Sequence, residues 1–142
     1  MPQVPVNYLA VLGAAIASMV IGALWYGPLF GKAWVNLAGM TEAQMNAAKQ
    51  KGMGKSYAIM FAGSFLMAYV LLHALVFASA YLGAYGAVSG LIAGFWNWLG
   101  FVAPVTLGAV LWECKPWKLW LINNGYYLVV LLVMGMILAV WK

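Results

Sequence analysis

The chain of 142 residues is 67% hydrophobic and 6% charged, too little polar surface to clothe a water-soluble domain of this size. Its net charge of +5 comes from lysine alone, with no Arg and no Asp, which argues against a nucleic-acid surface built on guanidinium contacts. One cysteine, Cys114, excludes an internal disulfide and a CxxC redox or zinc pair.

Lipid is then the solvent for most of the chain, and long apolar runs without strand-like alternation predict membrane-spanning α-helices rather than a barrel. The first run, 7–26, lacks the basic start and Ala-x-Ala site of a cleaved leader and reads as a retained helix. Asn7, Val11, Ala14, Ser18, Gly22 and Trp25 share one side of it. The link 27–55 carries Lys32, Lys49, Lys51 and Lys55 against Glu42. Within it, Thr41-Glu42-Ala43-Gln44 fits a capping box and predicts a short amphipathic helix from 42 to about 50.

The second run, 56–81, places Ala58, Ala62, Tyr69, His73 and Ala80 on a packing face, with Met60, Met67, Leu71 and Leu75 expected to face lipid. An uncharged, glycine-containing link, 82–87, leads to the third run, 88–112. On a regular helix Gly86, Gly90, Gly94, Asn97, Pro104 and Gly108 fall on one stripe, and its overlapping GxxxG units predict close helix packing. A third link holds Glu113, Lys115 and Lys118. The fourth run, 117–141, groups Asn124, Tyr127, Leu131 and Gly135, with Asn123 about a third of a turn away.

The expected architecture is an all-α membrane protein, a single four-helix transmembrane bundle over 1–142. Lys32, Lys49, Lys51, Lys55, Lys115 and Lys118 sit in the first and third links, so the positive-inside rule places those links in the cytoplasm. Both termini then lie on the non-cytoplasmic side. Aromatic residues at the ends of the runs, Trp25 and Tyr26 among them, fall where an interfacial belt is expected. The lysines have two readings: they set the topology, or they also contact anionic lipid headgroups.

His73 is the one intramembrane side chain able to change charge near neutral pH, which makes it a candidate functional group. The alternative is a neutral histidine hydrogen-bonded to Asn97 or Tyr69, and the absence of a carboxylate in any span weighs against a proton relay. Depth along the helices puts His73 about 12 Å and Asn97 about 13 Å below the outer end, so the two are expected as neighbours. Asn123, Asn124 and Tyr127 either line a pocket or join helices by hydrogen bonds. No metal site or cofactor is expected.

Three stretches, Asn7-Tyr8-Leu9, the run from Gly22 through Trp25-Tyr26-Gly27-Pro28 to Trp34, and Trp117-Lys118-Leu119-Trp120 through Asn123-Asn124-Gly125-Tyr126-Tyr127, resemble the bacterial membrane family called domain of unknown function 1761. The resemblance covers nearly the whole chain and implies a four-helix protein of the bacterial cytoplasmic membrane. The family pattern often has a histidine where Tyr127 stands here and an Arg-containing link in place of Glu113 to Lys115. Two functions are open on these grounds. One is a non-enzymatic bundle that self-associates through Gly86, Gly90 and Gly94 and binds or passes a small neutral or lipid-like molecule. The other is an accessory subunit of a larger membrane complex. An enzyme is disfavoured by the thin inventory of acids, bases and nucleophiles.

Overall fold

A computed structural model describes residues 4–141 and is helical throughout, with no strand among them. Four helical stretches are long and apolar enough to cross a membrane: Tyr8–Leu29, Gly54–Leu82, Gly86–Leu111 and Trp117–Val140. In sequence order the elements are α1 (Tyr8–Leu24), a π turn (Trp25–Leu29), α2 (Gly31–Ala38), α3 (Glu42–Gln50), α4 (Gly54–Leu82) and α5 (Gly86–Asn97). A second π turn (Trp98–Val102), α6 (Ala103–Thr106), α7 (Gly108–Leu111) and α8 (Trp117–Val140) complete the chain.

Local chemistry sets these boundaries. The Asn7 side chain accepts the Leu9 and Ala10 N–H groups and starts α1. Thr41 and Gln44 form the reciprocal capping box at the start of α3. Gly39 and Gly83, both left-handed, end α2 and α4. Pro28 and Pro104 have no N–H to give, and the ring of each crowds the carbonyl four residues back. Both spans relax by widening to π geometry: Phe30 N–H bonds the Trp25 carbonyl at 2.8 Å, and Ala103 N–H bonds that of Trp98.

At the core, Val11 and Ala14 of α1, Ala68, Leu71 and Leu72 of α4, and Val130, Met134 and Leu138 of α8 are buried together. The face expected to meet lipid on the second span is therefore partly wrong, because Leu71 and Leu75 are buried and Ala58 and Ala62 are exposed. Ser64, Ala68 and Leu72 share the inward side with the two leucines. Ala68 is buried among bulkier leucines, so a count of small residues does not decide this face.

The closest approach is between α5 and α8. A Cβ at Gly90 would overlap the Gly135 carbonyl, one at Gly135 would overlap the Gly90 carbonyl, and one at Gly94 would overlap the Leu131 carbonyl. The stripe is thus occupied by a helix of its own chain, and the self-association expected through it has no free face at Gly90 and Gly94. Two other members of the stripe do not pack. Gly86 has nothing near its would-be Cβ and is instead the left-handed residue, φ 82°, that turns the chain into α5. Gly108 meets only Trp112 of its own segment, because the π turn between Gly94 and Gly108 rotates the rest of the span off the regular helical register. Ala14 and Ser18 are buried, and Gly22 lies against Tyr126.

Asn7 Nδ2 donates to the Trp141 carbonyl at 3.4 Å, so the start of α1 and the end of α8 meet at one end of the bundle. Replacing Gly90 with Val is expected to lower stability by roughly 1–3 kcal/mol, the range for overpacking. Gly108→Ala should stay within about 0.5 kcal/mol. Melting temperatures in one detergent compare the two, and equal tolerance would mean that α5 and α8 do not touch at Gly90.

Candidate functional site

The polar side chains singled out from sequence as candidate intramembrane groups are distributed by the fold over four places. His73 Nδ1 donates to the Tyr69 carbonyl of its own helix at 2.8 Å, with the two rings 4.5 Å apart. Asn97 Nδ2 donates to the Ala93 carbonyl, also on its own helix, at 2.8 Å. His73 and Asn97, expected as neighbours, are joined by no hydrogen bond: each turns back to the carbonyl four residues earlier, which needs no second helix.

Asn124, 2% exposed, is the centre of a saturated network. Its Nδ2 donates to Thr106 Oγ1 at 2.9 Å and to the Trp120 carbonyl at 3.2 Å. The Trp120 indole N–H donates to Thr106 Oγ1 at 3.1 Å, and that of Trp98 donates to the Asn124 carbonyl at 3.0 Å. The network ties the broken third span to α8 just where Pro104 interrupts it.

Asn123 faces another way. Its Oδ1 accepts the Tyr26 hydroxyl at 3.0 Å and the Trp34 indole N–H at 3.1 Å. One residue earlier, the Ile122 carbonyl accepts the Trp25 indole N–H at 3.0 Å. A Cβ at Gly125 would come within 3.1 Å of the Trp25 ring, so this glycine lets the indole lie close on α8. Tyr126 completes the cluster, 5.1 Å from the Tyr26 ring and 3.4 Å from Ser18 Oγ, which in turn lies 3.0 Å from Ser64 Oγ. The first π turn aims Trp25 and Tyr26 inward and lays α2 against α8, where the sequence suggests an interfacial belt. The signal that they turn inward is the pairing of an indole and a phenol with amide-bearing Asn123, visible only once the two spans are known to be adjacent.

Tyr127 differs from these residues. Its hydroxyl has no hydrogen-bond partner among the described residues, and one N–H and the Oδ1 of Asn97 are likewise unpaired. Among the described residues no fully buried side-chain N or O lacks a partner, so these atoms reach accessible space. That space is a groove of about 410 Å³ between α4, the second π turn with its flanks, and α8. Gly63, Leu66 and Val70 form its α4 wall and Phe101, Val105 and Leu131 the facing one, with Asn97 and Tyr127 lining the interior. Leu66, Val70, Phe101 and Val105 are also exposed on the outside of the bundle, so the groove opens sideways.

A second cavity, of about 480 Å³, lies at the end where the chain ends meet, between Val6, Leu72, Leu75, Val76, Leu138 and Trp141. Its serines, Ser79 and Ser89, are spent on backbone carbonyls of their own helices. No group of three or more His, Cys, Asp or Glu side chains is gathered among the described residues, and neither cavity is lined by a carboxylic acid or a cysteine. The arrangement can bind through apolar contact and neutral hydrogen bonds.

The family model described as protein of unknown function (DUF1761) matches residues 9–139. No curated protein and no solved structure matches the chain. Two of the stretches that carry the resemblance, around Trp25 and around Asn123, interlock here.

Asn123→Leu removes the acceptor shared by Tyr26 and Trp34. Hydrogen exchange should then rise in residues 31–38 while the middle of α8 keeps its protection, since each lost interhelical bond is worth about 0.6 kcal/mol and up to roughly 1.7. Unchanged exchange in 31–38 would show that Asn123 does not hold α2.

Proposed function

The chain belongs to this family of unknown function, and on that premise we propose that it is a membrane-embedded binding protein that holds a small lipid-like molecule in the lateral groove between α4, the second π turn and α8. The observation that carries the reading is the combination within this groove of apolar walls, a sideways opening and two side chains with unpaired polar atoms. Binding sites for small molecules are mostly apolar with a few placed polar groups, and helix bundles build them between helices. A π segment is a frequent accompaniment of such sites.

In this reading the six lysines of the links mark the cytoplasmic end and the ends of α1 and α8 that meet at Asn7 and Trp141 face outward, in a bacterial cytoplasmic membrane. All six lysines are exposed, which leaves them free to meet the headgroup layer. Docking onto a larger complex through the glycine stripe loses its motivation, because α8 covers Gly90 and Gly94.

Gly63 offers a clean test, since a Cβ there meets nothing within 4 Å. Gly63→Phe should fill the groove without disturbing the bundle. Native mass spectrometry of protein extracted from its own membrane is expected to show a bound mass on the wild type and its loss from the variant. No adduct on the wild type, or the same adduct on both, would remove the groove as the site.

A further inference from the structure

We infer that the occupant of the lateral groove is a neutral long-chain lipid whose hydroxyl or carbonyl oxygen lies near the middle of the bilayer, bound there by Tyr127 and Asn97. The inference rests on the reading of the groove as a lipid site and adds the class of lipid.

Depth carries the first part of it. Asn97 lies 11 residues into the span that begins at Gly86, and Tyr127 lies 10 residues into the one that begins at Trp117. At 1.5 Å per residue these are about 16 Å from one end of the bundle and about 15 Å from the other. In a hydrocarbon core of roughly 30 Å both are close to mid-depth. A phospholipid keeps its headgroup and glycerol esters at the interface, so it presents only methylene groups at that level. Unpaired polar atoms on two side chains are costly in hydrocarbon, and methylene groups do nothing to reduce the cost.

Charge carries the second part. The groove is lined by no charged side chain, and the exposed lysines lie in the links and in the first turns of α4 and α8, at one end of the spans. A carboxylate or phosphate brought to mid-depth would find no counter-charge, which argues against an ionised fatty acid or an anionic headgroup. The free groups instead suit a neutral oxygen. The Tyr127 hydroxyl donates or accepts, Asn97 has one amide N–H beyond the one given to Ala93, and Asn97 Oδ1 accepts from a hydroxyl. The larger end cavity has no such signature, because Ser79 and Ser89 are already paired.

The same chemistry has two sources, a quinone carbonyl on an isoprenoid tail and the hydroxyl of a long-chain prenol. Delipidated protein in detergent would be titrated with a decyl-chain quinone, with a farnesyl alcohol and with phosphatidylethanolamine, following tryptophan fluorescence. One of the first two should bind, and which one identifies the source. Tyr127→Phe should weaken that binding roughly three- to tenfold, the worth of one net hydrogen bond. Its melting temperature should be unchanged, since the hydroxyl has no protein partner to lose. Gly63→Phe should abolish binding of every probe. Phosphatidylethanolamine binding as well as the neutral probes, with no effect of Tyr127→Phe, would overturn the mid-depth oxygen while leaving a lipid groove. No binding by any probe to wild-type protein would overturn both.

Discussion

The contact between Gly90 and Gly135 is the constraint on which the rest of the arrangement depends. Neither residue has a side chain, so α5 and α8 approach until their backbones touch, and a methyl group on either would strike the carbonyl of the other. In lipid, where burying apolar surface provides little drive between helices, such close approach is a main source of helix association. It holds the first half of the third span against α8. The second half cannot continue along the same path, because Pro104 forces the π turn and the direction changes. The lateral groove occupies the space beside that change, bordered by α4.

A second lock, at the end of the bundle that carries the lysine-bearing links, is polar and aromatic. Trp25, Tyr26 and Trp34 donate to Ile122 and Asn123, while Trp98 and Trp120 donate into the Asn124 network. Every fully buried side-chain N or O among the described residues has a partner, as a low-dielectric interior demands. Against that background the unpaired atoms of Tyr127 and Asn97 stand apart, accessible in the groove and unused by the packing.

Much of the fold was legible in the sequence. Apolar runs and their separators marked the four spans, and Thr41 with Gln44 marked the start of α3, because these signals are local. The glycine stripe was legible as a packing surface, but its partner was not. Gly90 and Gly94 carry no information on whether the approaching backbone belongs to the same chain, and nothing in the spacing identifies Gly135. Helical periodicity also failed beyond Pro104, where one π turn moved Gly108 off the stripe. The polar site was least legible. Asn97, Asn123, Asn124 and Tyr127 all carry hydrogen-bonding groups on a helical wheel, and only the neighbouring helices decide which are consumed by packing. Asn123 and Asn124 are, whereas Tyr127 is not.

The packing depends on α5 and α8 of one molecule meeting at their glycines. The most direct measurement is an NMR search for cross-relaxation between the α-protons of Gly90 and Gly135 in a sample that mixes labelled with unlabelled chains. The expected result is a strong contact within single chains that dilution with unlabelled protein leaves unchanged. A contact seen only between differently labelled chains, or none at all, would contradict the arrangement and return the glycine stripe to an interface between molecules.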